Sequence, residues 1–205
     1  MPIIEKMVDF AKANVGYNPF VFLFAITYIF LLRLPSEALP MCAGPCDDNN
    51  AQSVLSLENG ELVLRLKRRK NRPLGGTLKR ACWCSTAPKI CPVHVFGRSI
   101  SKVQGGVRIF PSITVARALT TLRFLLEKIG VEEPRDYRTH DLRRGHVLDL
   151  QQSGRAAHVS VHLLQMSLLG APLPRIMEEA QWKPPAFMKY IDCGLLEHDA
   201  VVQVR

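Results

Sequence analysis

The sequence predicts an α+β fold, mainly α, in which helices surround a small three-stranded antiparallel sheet. Three observations lead there. Residues 20–32 are apolar on every side, as a helix at the centre of a core would be. Two strand-like runs, 52–58 and 61–66, flank Asn59-Gly60, the strongest short hairpin signal. Ile113, Ala116, Leu119, Leu122, Leu126 and Ile129 recur at helical spacing and form one apolar stripe.

The chain of 205 residues reads as a single domain over 1–205, long enough to bury a sizeable core. An apolar content of 47% argues against a disordered tail. The formal charge of +9 and a pI near 9.5 point to a polyanionic partner, nucleic acid or an acidic membrane. The apolar run 20–32 falls short of the roughly 18 residues that span a bilayer and reads as a buried helix; membrane-surface association is the weaker alternative, and no membrane partner is assigned. Arg33 and Pro35 follow it where a signal peptide would have small residues. Six cysteines in this length do not make a disulfide scaffold and read as reduced thiols of an intracellular protein.

Taken in order, residues 3–13 have the apolar spacing of an amphipathic helix, which Gly16 and Asn18-Pro19 interrupt. The apolar helix from about 20 must end near Leu34, because Pro35 disfavours helical geometry in the residue before it. Arg33 therefore stands at a turn, before a short helix containing Glu37, and either reaches out to water or is held for a purpose. Residues 77–82 supply the third strand. The second hairpin carries Arg65, Lys67, Arg68, Arg69, Lys70 and Arg72 with no acid among them. Such a run suits a phosphate backbone, and reads equally as a solvated loop or a nuclear-import signal.

Cys82, Cys84, Cys91 and His94 are four potential zinc ligands, but C-x-C and C-x-x-H are not a standard pairing and buried thiols commonly act as small hydrophobes. No metal is assigned on this basis. Ser112 is the expected cap of the 113–129 helix and Gly130 its end. Thr139 can cap a helix over 140–152. His140 and Arg143 would then share one outward face near its N-terminus, where free N–H groups favour an anion. Residues 156–169 and 175–180 are further helix candidates, 186–192 carry Tyr190 after Trp182, and 195–205 read as a C-terminal tail.

In this order, Arg33, the basic hairpin, His140-x-x-Arg143, Trp182 and Tyr190 resemble the catalytic domain of tyrosine recombinases, the phage-integrase family. Leu32-Arg33-Leu34-Pro35-Ser36-Glu37 looks like its first-arginine motif, and His140-Asp141-Leu142-Arg143-Arg144-Gly145 like its His-x-x-Arg box. Gln181-Trp182-Lys183 through Tyr190-Ile191-Asp192 resembles the nucleophile segment. Together with Cys91-Pro92-Val93-His94, it is most similar to recombinases of eukaryotic mobile elements of the crypton and DIRS type. The resemblance implies DNA strand cleavage and rejoining, in site-specific recombination or integration, through a covalent 3′-phosphotyrosyl intermediate on Tyr190. Arg33, His140, Arg143 and Trp182 would hold the phosphate, and Lys70, or alternatively Lys67, would protonate the leaving oxygen. Arg65, Lys67, Arg68, Arg69, Arg72 and Arg144 would contact DNA.

No cofactor is implied. The expected partner is double-stranded DNA, with a homotetramer assembled on paired sites, in the nucleus. Against the family pattern, Glu37 follows Arg33 by four residues rather than three, 156–170 reads as an insertion, and no N-terminal DNA-clamping domain is expected before Arg33. The alternative is a non-catalytic DNA-binding relic of such an element.

Overall fold

A computed structural model describes residues 2–44, 53–67 and 74–143. Helix α2, Asn18–Ile29, forms the centre of the domain, with Phe20, Val21 and every residue from Leu23 to Ile29 buried. Apolar side chains on all its faces leave it no solvent side, so other elements must wrap it. Helix α1, Pro2–Ala13, lays Ile4, Met7 and Ala11 against it. Burial of a side chain the size of Ile4 or Met7 contributes about 1.5–3 kcal/mol of hydrophobic stabilisation.

Helix α3 is the single turn Arg98–Ile100, and α4 is the longer Val115–Lys128. Helix α4 buries Ala118, Leu122, Leu125 and Leu126 and packs on α1 and α2. Tyr17 stacks on Phe124 with ring centroids 5.2 Å apart, joining the α1–α2 connection to α4. The start of α4 differs from the sequence expectation: Thr114, not Ser112, is the cap, its hydroxyl accepting from the Arg117 N–H at 3.2 Å. Gly130 closes the helix with a φ of +77°.

The sheet has four strands in the order β1-β2-β3-β4, one more than expected. β2 (Ser53–Glu58), β3 (Glu61–Leu66) and β4 (Gly76–Arg80) form the expected antiparallel meander, with Asn59 and Gly60 both at positive φ in the tight turn. The additional β1, Met41–Ala43, pairs parallel with β2. Its far edge bonds to the chain at 106–109, Ala43 N–H to the Val107 carbonyl at 2.9 Å and Ile109 N–H to that of Met41 at 2.9 Å. No open ladder is left on β1 between these residues.

One sheet face, with Leu55, Leu62, Leu64, Leu66 and Arg80, is buried; the other carries Glu58, Glu61, Arg65 and Lys79. No helix among the described residues is long and apolar enough to cross a membrane. The 156–169 and 175–180 helix candidates, the 156–170 insertion, the 186–192 segment and the 195–205 tail lie outside the described residues.

Candidate functional site

Helix α2 ends sooner than expected. Leu31 adopts a φ of +55°, which stops the helix and turns the chain, so Arg33 follows in an extended conformation. The next turn, Leu34–Ala38, is wider than an α-helical one: Ala38 N–H reaches the Arg33 carbonyl at 3.2 Å and Leu39 N–H that of Leu34 at 3.0 Å, each five residues back. A π-type turn accommodates one residue more than an α turn, and such turns recur at functional sites.

Glu37 is 2% exposed, and its carboxylate accepts the Arg33 N–H at 2.8 Å. Its own carbonyl accepts from Ser53 Oγ at 2.6 Å, tying the turn to β2. The half-buried Arg33 is thus carried on a backbone braced from two sides.

A side chain that sequence reasoning missed supports the same junction. Arg80, 6% exposed, donates from Nε to the Ile29 carbonyl at 3.0 Å, at the C-terminus of α2, and lies over the Phe30 ring at 5.0 Å. A guanidinium there satisfies a carbonyl the helix leaves open and faces the negative end of its dipole. The signal was available: alternation along β4 puts Arg80 on the face of Leu78, not of Lys79.

His140 and Arg143 differ in exposure. His140 is exposed, whereas Arg143 is 8% exposed, beside Leu142, also 8%, which enters the core. The bond that braces this turn runs from the Arg138 N–H to Asp141 Oδ2 at 2.8 Å, not from a Thr139 cap, and Arg123 Nε holds the preceding Tyr137 carbonyl at 3.1 Å. Helical geometry begins at Asp141, and Arg144 and the rest of the expected 140–152 helix lie outside the described residues.

Lys70, Arg68, Arg69, Arg72, Trp182 and Tyr190 also lie outside them, so of the six catalytic candidates Arg33, His140 and Arg143 are described. Arg65 and Lys67 are exposed. Arg65 is not a bare cation, however. Its guanidinium grips Glu58 across the hairpin through both carboxylate oxygens. Hydrogen bonds from Arg65 and Ser56 hold the Glu58 carboxyl at about 2, so the pair persists through the neutral range. The hairpin's absence of acid holds along the chain and fails across the sheet.

Away from this region, Cys82, Cys84, Cys91 and His94 gather with their ligand atoms within 4.8 Å of one another. Only Cys91 is buried, so Cys82 and Cys84 are not the small hydrophobes their sequence suggested. Burial pushes the Cys91 thiol up, but hydrogen bonds from the His94 and Trp83 backbones and the His94 and Cys84 side chains outweigh it and hold it at about 6. Bonding to Cys82 and Cys91 drives Cys84 up to about 12.

Fold and geometry define an α+β domain with a mixed four-stranded sheet on a helical layer, a braced arginine turn and a separate thiol–imidazole cluster. No protein-family model matches the chain, and no curated protein or solved structure is significantly similar to it.

Proposed function

We propose that this chain is a tyrosine-recombinase-like catalytic domain that cuts and rejoins DNA, with Tyr190 as nucleophile. The observation that carries the reading is the Arg33 turn: a half-buried arginine stands on backbone fixed by the buried Glu37 and, through Arg80, by the end of the core helix. A surface arginine that merely solubilises a helix end needs no such brace. A dianionic pentacoordinate phosphorus does need fixed donors, each contributing about 3 kcal/mol to the transition state. The Tyr190 hydroxyl loses its proton to solvent as its oxygen bonds to phosphorus, the bond from phosphorus to the sugar 5′-oxygen breaks and that oxygen takes a proton from Lys70 or Lys67, and the reverse attack by the 5′-hydroxyl rejoins the strand. Covalent storage conserves the phosphodiester energy, so rejoining needs no ATP. Double-stranded DNA is the partner, a homotetramer on paired sites the working assembly, and the nucleus the compartment.

The test is covalent capture on a pool of nicked duplexes with randomised sequence. An adduct that Tyr190→Phe abolishes and Arg33→Ala lowers by at least about a hundredfold supports the assignment. An adduct that survives in Tyr190→Phe removes Tyr190 from the role.

The second reading, a non-catalytic DNA-binding relic, is favoured by the low exposure of Arg143, 8%, close to the exposed His140. It expects salt-sensitive DNA binding with no adduct on any member of the pool.

A further inference from the structure

We propose that Cys82, Cys84, Cys91 and His94 form a structural zinc site that locks the end of the sheet to the segment following it. A tetrahedral ion with bonds of about 2.3 Å to sulfur and 2.0–2.1 Å to nitrogen sets its ligand atoms about 3.8 Å apart for two sulfurs and about 3.5 Å for a sulfur and a nitrogen. Here the Cys82 and Cys91 sulfurs are 3.8 Å apart, and His94 Nδ1 lies 3.3 Å from Cys82, 2.9 Å from Cys84 and 3.5 Å from Cys91. The cluster therefore has close to the dimensions of a zinc shell. A disulfide requires about 2.05 Å between sulfurs, and all three cysteines are free.

The surroundings fit thiolate ligands. The Trp83 N–H points to Cys91 Sγ at 3.2 Å and the Cys84 N–H to Cys82 Sγ at 3.4 Å, the outer bonds that orient and stabilise metal-bound sulfur. Binding displaces the protons the thiols still carry and leaves a shell of three thiolates, one neutral imidazole and Zn²⁺. Four protein ligands leave no position for water or substrate, so the site is structural rather than catalytic. Trp83, 2% exposed, lies between two of the ligands, so the ion would fix the chain on both sides of a core anchor. It would also join β4, whose last residue Arg80 supports α2, to the π-type turn Pro92–Gly97 that packs under the sheet. This site stands independently of the DNA reading.

The test is metal analysis of the full chain purified without chelator. About one zinc per chain is expected, and Cys84→Ser and His94→Ala, at exposed positions, should each bring it close to zero, while Cys42→Ala retains it. Replacement by Co²⁺ should give the intense visible absorption of a tetrahedral thiolate site. Should the variants fail to fold, X-ray absorption at the zinc edge of the unaltered chain decides: three sulfurs and one nitrogen support the site, and a shell of oxygen and nitrogen alone overturns it. Folded, reduced chain that takes up neither zinc nor cobalt, or zinc retained in both exposed-ligand variants, overturns it equally.

Discussion

Arg80 is the residue on which the geometry of the candidate site leans most heavily without belonging to it. A guanidinium at 6% exposure contributes only where its donors find acceptors, and Arg80 finds them in the Ile29 and Lys79 carbonyls and the Phe30 ring. Arg80→Ala would leave the Ile29 carbonyl without this donor and open space beside Phe30. The expected loss is about 2–4 kcal/mol, read as a lower denaturant midpoint with an unchanged m-value. Arg80→Lys should recover only part of it, because an ammonium cannot present a planar fork and stack on the ring together. Since Arg33 lies four residues after Ile29, both variants should also reduce covalent capture of DNA, where a displacement of about 1 Å at the phosphate is already costly. A variant that lost stability but kept full capture would separate Arg80 from the arginine turn.

At the level of elements, the hairpins show what local chemistry dictates. Gly60 and Gly75 both have positive φ, +78° and +75°, yet their surroundings differ. A Cβ on Gly60 would meet nothing within 4 Å, so Gly60→Ala carries only the left-handed strain, about 1–2 kcal/mol. On Gly75 it would stand 1.9 Å from the Leu66 carbonyl oxygen, which is backbone and cannot turn aside. Gly75→Ala is therefore expected to cost more than Gly60→Ala, by 2 kcal/mol or about that, as paired thermal or denaturant melts would show. Equal melting points would mean that the β3–β4 connection shifts to accommodate the methyl.

Asn59-Gly60 was legible in the sequence because a turn of that type demands positive φ at both positions, and the α4 stripe was legible because its period is local. β1 was not: three buried residues show no alternation, and their parallel partner is chosen by packing. The early end of α2 at Leu31 was equally hidden, since Pro35 marks only the latest point at which a helix can stop. The residue types of the candidate site could be read, but burial could not. Sequence spacing placed His140 and Arg143 on one face, but it could not show that His140 is exposed while Arg143 is 8% exposed. The thiol cluster stayed ambiguous for the same reason, because C-x-C and C-x-x-H acquire meaning only when the chain brings the two pairs together.

For the whole molecule the question is where the +9 charge can act. On the open face of the sheet Glu58 holds Arg65, and Glu61 lies 3.7 Å from Lys79, so that face is close to neutral. The sequence also carries Lys67, Arg68, Arg69, Lys70 and Arg72, five cations in a stretch without an acid. If DNA lies along this hairpin, each cation that neutralises a phosphate adds about 0.9 to the slope of log affinity against log salt. Replacing Arg68, Arg69 and Arg72 together by glutamine should therefore flatten the slope by 2–3 or about that, with the largest loss of affinity at low salt. Arg65→Gln should barely change it, because its charge is already committed to a carboxylate that stays ionised down to about pH 2. Binding isotherms on one duplex at several salt concentrations make the comparison. A slope loss for Arg65→Gln as large as one third of the triple variant's would show that DNA competes successfully with Glu58. A triple variant with an unchanged slope would move the DNA path off the hairpin altogether, to the other cations of the surface.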